Sequence, residues 1–346
     1  MPDIAVALAG YGYAGKTIHA PLIEAAEGLR LAAVVSSRPD AVHSDFPDMA
    51  VTTFEAALAD PAIGLVVIAT PNDRHAPMAH AALDAGKHVV IDKPFCLTVR
   101  DGEALAEHAA RAGRLLSVFH CRRWDSNYLT FQSLRDRVGD AVQLVLRYDR
   151  WRPAVRDRWR ERAGPGSGIW FDLGSHLVDQ TLSLFGWPDW IDADIAAQRA
   201  GAQTDDYFHV VLGYGPERHN LRAILHSSML TAAPGPAFEV QGSRGAFLKS
   251  GMDIQENLLK AGKRPGAPGW DVDLGDARFT PVDGDASGKP ESVTAVPGNY
   301  LAYYEAIAGA ITDGAPNPVS PDDALRVMRV LEAGFASARD GRRISL

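Results

Sequence analysis

Residues 10–15 read Gly-Tyr-Gly-Tyr-Ala-Gly and follow the short apolar run Ile4 to Ala9. A strand that feeds a G-x-G-x-x-G turn and then opens a helix is the way a βα unit holds a dinucleotide pyrophosphate. Gly10 permits the tight turn, and Gly12 lets the backbone approach the phosphates. Gly15 lets the helix pack close to its strand, while the helix N-terminus attracts negative charge. A lone glycine fingerprint also fits an ordinary glycine turn. Here the strand before it, the helix after it and its place near the start of the chain favour a nicotinamide cofactor, with Gly10, Gly12, Tyr13, Ala14 and Gly15 around it.

The rest of the first third alternates strand and helix. Leu31 to Val35, Leu65 to Ala69, His88 to Ile91 and Leu115 to Phe119 are apolar, β-branched runs suited to strands buried on both faces. Between them Ala14 to Ala26, Ala76 to Ala85 and a segment from Thr98 to Ala112 read as helices, with Thr98 as a cap. This order predicts a parallel sheet with right-handed crossovers, whose ligands sit beyond the carboxyl ends of the strands. One edge then carries Gly10 to Gly15, Ser36 to Arg38, Thr70-Pro71-Asn72 and Asp92-Lys93-Pro94.

The second strand speaks to the cofactor's ribose. A carboxylate about 20 residues after the glycines would bind the 2′-hydroxyl and select NAD. This chain has Ser36-Ser37-Arg38, and no carboxylate until Asp40. Two hydroxyls and a guanidinium suit a 2′-phosphate, so NADP is expected and NAD is the second choice. The less favoured alternative is a solvated arginine in a turn before Pro39.

The 346 residues exceed what one hydrophobic core usually serves, so two domains are expected. A net charge of -8 argues against a nucleic-acid partner. Two cysteines, Cys96 and Cys121, support neither a disulfide framework nor a four-thiolate metal site. No run approaches a membrane span or a cleavable leader, so the expectation is a cytoplasmic protein without a membrane partner.

Two places have the composition for chemistry. Lys93 precedes Pro94 at a strand end, where a cis peptide would fix the direction of its ammonium, although any single lysine is as readily a solvated one. Asp172-Leu173-Gly174-Ser175-His176 lies in a helical segment, Gly168 to Phe185, so Asp172 and His176 project from one face. Histidine moves protons near neutral pH, and a neighbouring carboxylate orients it. By itself the pair reads first as a helix-surface contact worth a few tenths of a kcal/mol. No third ligand accompanies it, so no metal is expected. Cys121 reads as a buried thiol. The Arg- and Trp-rich stretch from Arg150 to Arg162 suits either a substrate lid or a subunit contact. Asp205-Asp206-Tyr207 reads as a turn cap.

Together these pieces resemble the Gfo/Idh/MocA family, that of glucose–fructose oxidoreductase and inositol dehydrogenase. The resemblance rests on the glycine turn, on Ala69-Thr70-Pro71-Asn72 with His75, on Lys93-Pro94 and on Asp172 to His176. His19 to Ile23, Phe119 to Asp125 and Asp205 to Phe208 resemble the branch that contains NADP-dependent scyllo-inositol dehydrogenases. The resemblance implies hydride transfer between a secondary alcohol of a sugar or polyol and the nicotinamide. His176 would be the general base, Asp172 would position the substrate and tune His176, and Lys93 would hydrogen-bond the reacting oxygen. It also places Thr70, Pro71, Asn72, His75, Lys93 and Pro94 at the cofactor beside Ser36, Ser37 and Arg38. Two positions depart from the family: Asp92 replaces its usual Glu, and Cys121 stands where the branch more often has Asn.

The implied organisation is α/β: a Rossmann dinucleotide-binding domain over 1–121, with the helix 320–339 packing back on it. A substrate-binding and oligomerisation domain over 122–319 follows, α+β with an open, mostly antiparallel sheet. Its runs Ala141 to Arg147, Tyr207 to Leu212 and Leu221 to Ser227 alternate with period two. A partner's sheet would cover its free face, making a homodimer or homotetramer. Residues 262–297, rich in Gly and Pro, read as a surface excursion. The competing reading is a non-catalytic dinucleotide-sensing regulator on the same fold, for which a proton relay would have no use.

Overall fold

Six short runs of Val, Ile, Leu and Ala form one parallel sheet: β1 (Ile4–Ala9), β2 (Leu29–Val35), β3 (Ala50–Thr52), β4 (Ile63–Ile68), β5 (His88–Asp92) and β6 (Leu116–Phe119). Their order is β3-β2-β1-β4-β5-β6, with every neighbouring pair parallel. The order reverses at β1 and β4, the switch point at which such a sheet opens a crevice. The central strands are buried along nearly their whole length, as helices on both faces require. The computed structural model describes residues 3–270, 272 and 275–346.

The chain divides into two units. The first holds this sheet and comprises residues 1–124, 254–271 and 299–325; the second comprises 125–253, 272–298 and 326–346. Two segments of the first unit therefore return from far along the chain. One contributes the helix Leu301–Thr312, whose Tyr303 and Tyr304 are fully buried. Tyr303 hydroxyl lies 2.9 Å from Ser117 Oγ on β6, and Tyr304 hydroxyl 2.5 Å from His19 Nδ1.

The helix expected over Ala14 to Ala26 includes a π-turn, Gly15–His19, before the α-helical Ala20–Ala25. Thr98 caps the helix Val99–Ala112, accepting from the Asp101 amide at 3.1 Å. β3 and the short helix before it, Pro39–His43, carry too few apolar residues for a periodicity to show.

The second unit is built on a ten-stranded mixed sheet. Its strands are β7 (Ala141–Arg147), β8 (Trp190–Ala196), β9 (Tyr207–Gly213), β10 (Arg222–Ser228), β11 (Phe238–Gly242), β12 (Gly245–Lys249), β13 (Ala277–Asp283), β14 (Ala286–Ser287), β15 (Glu291–Ser292) and β16 (Ile344–Ser345). All pairs are antiparallel except β7 with β10. The stretch read as an excursion thus contains three strands, because β13 gains its ladder from β12 rather than from an apolar pattern of its own. On one face Leu144, Leu146, Val210, Leu212, Leu225, Phe238 and Phe247 are buried. Phe131, from the helix Ser126–Val138, packs there with ring centroids 5.6 Å from Phe238 and 6.3 Å from Phe247.

The last helix, Pro321–Asp340, begins in the first unit and continues in the second from Arg326. In the second unit Trp170 Nε1 donates to Leu331 O at 3.0 Å. Among the described residues no helix is long and apolar enough to cross a membrane.

Candidate active site

The glycine turn is determined by space. Gly10 sits at φ +101°, where L side chains are strained, and a Cβ there would come 2.5 Å from Ala69 O. At Gly15 a Cβ would collide with Gly10 O. Around Gly12 nothing lies within 4 Å of a Cβ position, so the backbone is open to approach where the pyrophosphate belongs. Tyr11 hydroxyl donates to Asp45 Oδ2 at 2.9 Å, and Lys16 Nζ lies 2.7 Å from the same atom. Burial, helped by the Asp45 hydrogen bond, raises the Tyr11 pKa.

Next to this turn a cavity of about 600 Å³ is lined by Gly10, Ser36, Ser37, Arg38, Thr70 and Arg74, among others. Arg38 is fixed at its edge: its amide donates to Ser36 Oγ and its Nη2 to Tyr11 O, both at 3.0 Å. Arg74 is a second guanidinium on this cavity that the sequence reading missed, although it lies two residues beyond Asn72 at the same strand end. Thr70 Oγ1 is buried without a hydrogen-bond partner. An open glycine backbone, an orphaned hydroxyl and two arginines fit the phosphates and ribose of a nicotinamide dinucleotide.

The strand ends are tied beneath the cavity by His75, which is fully buried. Its ring nitrogens lie 2.8 Å from Pro94 O and 3.0 Å from Thr70 O. Burial lowers the His75 pKa, against the nearby Asp92 charge. The Lys93-Pro94 peptide is cis. Asp92 lies 3.6 Å from His19 Nε2. Burial would raise the Asp92 carboxyl, but the neighbouring His19, with Lys93 and His75, holds it below the usual range.

In the second unit Asp172 and His176 come from different kinds of turn. Asp172 lies in a π-turn, Trp170–Gly174, and His176 in the first turn of the helix Ser175–Phe185 that continues it. Gly174 is required because a Cβ would run into the Trp170 ring. The expected turn cap at 205 holds the start of this segment: Asp205 Oδ2 accepts from the Trp170 amide at 2.7 Å. Burial pushes the Asp205 carboxyl up, against hydrogen bonds from that amide and from Thr204. Arg160 Nε lies 3.4 Å from Asp172 Oδ1. The buried His176 ring stacks on Tyr148 with centroids 6.5 Å apart, and Arg150 stands 4.8 Å over the same Tyr148 ring. Arg160, Tyr148 and Arg150 were not singled out from the sequence as neighbours of this pair.

Cys96 and Cys121 are buried, and Cys96 Sγ donates to Thr98 O at 3.0 Å. Among the described residues no group of three or more His, Cys, Asp or Glu side chains could hold a metal ion.

Comparison with known proteins decides the family. A family described as "Oxidoreductase family, NAD-binding Rossmann fold" (GFO_IDH_MocA) matches residues 4–120, and its "C-terminal alpha/beta domain" counterpart matches 134–346. The chain belongs to the Gfo/Idh/MocA oxidoreductases. It is 48% identical over 340 residues to the uncharacterized oxidoreductase YdgJ of Escherichia coli, covering 97% of each chain. It is 39% identical over 348 residues to the scyllo-inositol 2-dehydrogenase (NADP(+)) IolW of Bacillus subtilis, covering 99% of this chain and 96% of that one. The solved yvaA structure from Bacillus subtilis superposes with TM-score 0.95 at 39% identity, covering 100% and 99% of the two chains. The YPO2259 structure from Yersinia pestis gives 0.94 at 45% identity, covering 100% and 97%. The Gfo/Idh/MocA chain described here is accordingly an NAD(P)-dependent oxidoreductase, with the glycine turn on its nucleotide-binding sheet.

Proposed function

We propose that this enzyme prefers NADP and oxidises or forms a secondary alcohol on an inositol-like polyol or related sugar. The observation that carries the cofactor reading is the cavity beside Gly10, with Ser36, Ser37, Arg38 and Arg74 on its wall. Two guanidiniums offer charge-assisted hydrogen bonds to a 2′-phosphate. The substrate class comes from the 39% identity to IolW, named as an NADP-dependent scyllo-inositol dehydrogenase.

Bound nicotinamide supplies a hydride acceptor at C4. His176 takes the hydroxyl proton in the oxidation direction and returns it in the reverse. Asp172, held by Arg160, positions the substrate hydroxyl and tunes His176. Lys93 donates to the reacting oxygen, where negative charge develops. Thr70, Pro71, Asn72 and Pro94 shape the cofactor side of the first unit's strand ends, and His75 braces them from below.

The chain is further proposed to assemble as a homodimer or homotetramer through the second unit's free sheet face, where Tyr207, Val211, Ile224, His226 and Leu248 retain partial exposure. The test of the activity is the initial rate of NADP⁺ reduction over a panel of inositols, aldoses and sugar acids, with NAD⁺ alongside. A saturable rate on one polyol class with NADP⁺ preferred is the expected outcome. NADPH binding without turnover on any panel member would favour the dinucleotide-sensing alternative.

A further inference from the structure

The segment 254–271 returns to the first unit from the middle of the second unit's sequence. Its helix Gln255–Lys260 packs against the π-turn that follows the glycine loop. Gln255 anchors it to the unit's interior, donating from Nε2 to Trp124 O at 3.3 Å and accepting the Tyr300 amide at 2.6 Å.

Glu256 is the hub of this contact. Its Oε1 accepts the Tyr13 hydroxyl at 2.6 Å and lies 2.9 Å from Lys260 Nζ, while its Oε2 accepts from Arg122 Nη2 at 3.1 Å. The Lys260 ammonium also sits 5.4 Å from the Tyr13 ring centroid. Tyr13 itself is 50% exposed, so burial does little to hold it. Its position is set by a carboxylate 243 residues away along the chain.

Tyr13 stands inside the glycine fingerprint, directly after the open Gly12 backbone and at the start of the helix whose amides would face a bound pyrophosphate. Whatever fixes Tyr13 fixes those donors. On the other side of the loop Asp45 holds Tyr11 and Lys16, so the loop is tied from two directions. We propose that Glu256 is a positioning residue for the dinucleotide: through Tyr13 it ties the 254–271 strap to the glycine loop, and this tie sets the rate at which the cofactor leaves. The strap is continuous with the second unit's sequence, so cofactor release is coupled to a segment outside the nucleotide-binding sequence.

The inference rests on the dinucleotide reading of the site, and the experiment separates the two. NADPH association and dissociation are followed by stopped-flow fluorescence on the full chain without substrate, with thermal unfolding measured on each protein. The Tyr13→Phe variant removes only the hydroxyl, and Glu256→Gln removes the charge. A hydrogen bond to a charged group of this kind predicts release about tenfold faster in Tyr13→Phe, with association nearly unchanged and a smaller loss of stability than in Glu256→Gln, because Arg122 and Lys260 still hold Glu256. Glu256→Gln should also release faster, and the double variant little faster than the stronger single one, because the two residues form one tie. Unchanged release in Tyr13→Phe, or fully additive effects in the double variant, would overturn the proposal. Failure of the parent chain to bind NADPH would instead remove the dinucleotide reading, and the proposal with it.

Discussion

At His176 the catalytic proposal stands or falls on one ring. It is buried, stacked on Tyr148 and one helical turn from Asp172, a setting that fixes its orientation for proton transfer. Removing it as His176→Ala should lower turnover by about 10²–10⁴-fold and leave NADPH affinity nearly intact, since the glycine turn lies elsewhere in the chain. Turnover near the parent level, measured at saturating substrate, would take His176 out of the mechanism. Arg38 carries the cofactor proposal in the same way. Loss of a charge-assisted hydrogen bond of about 1.5–3 kcal/mol predicts that Arg38→Ala weakens NADPH binding by tenfold or more and NADH binding little. Arg74→Ala should show the same signature, and fluorescence titration with both nucleotides measures it. Equal losses for NADPH and NADH would mean that neither arginine reads the 2′-phosphate. Arg38 was legible because it lies just beyond a strand end, at the distance where a ribose reader is sought. Arg74 was not, because it enters the cavity after a turn whose direction the sequence does not specify.

Among the elements, strands buried on both faces were the easiest to read. β1, β4, β5 and β6 are largely apolar runs whose alternation with helices implied parallel pairing, while their order is set by the fold. The π-turns at Gly15–His19 and Trp170–Gly174 were hidden, since each is a single five-residue turn and periodicity is read over windows at least twice that long. The strap Gln255–Lys260 was hidden for a different reason: its partners, Tyr13 and Arg122, are far away in sequence, and no local pattern encodes such a contact. The strap also has a pH signature. Burial alone would raise the Glu256 carboxyl, but Arg122, Tyr13 and Lys260 bring it down from 4.5 to about 2. A carboxylate depressed in the folded state adds stability that is complete above its unfolded pKa and is lost as pH falls through the folded one. The cluster should therefore contribute on the order of 3 kcal/mol at neutral pH, fading from pH 4.5 towards pH 2. In denaturant titrations, Glu256→Gln should be less stable than the parent at pH 7, and the gap should close across that acid window. A gap independent of pH would mean that the carboxylate's charge is not what holds the strap.

For the whole molecule, the open question is what covers the second unit's free sheet face. Strand register places Val211, Ile224 and Val145 side by side on β9, β10 and β7, continuing to Glu239 and Leu248 on β11 and β12. The next row sets His209, His226 and Arg147 abreast. Burial lowers the His226 pKa, so this row tends to stay uncharged at the histidine near neutral pH. A short apolar stretch, Val211 to Val145, bordered by polar side chains suits a two-fold contact, in which the same patch serves both copies. Period-two alternation in the sequence already gave the two faces of the sheet, but not the ladder order that makes these side chains neighbours. Ile224 stands between Val211 and Val145, so near a two-fold axis an aspartate there would face its own copy. Like charges across a desolvated interface cost several kcal/mol. Sedimentation velocity should show Ile224→Asp shifted to a smaller species than the parent, with NADPH binding kept because the nucleotide-binding sheet belongs to the first unit. A parent chain that sediments as a monomer, or a variant that keeps the parent's assembly, would place the interface elsewhere or abolish it.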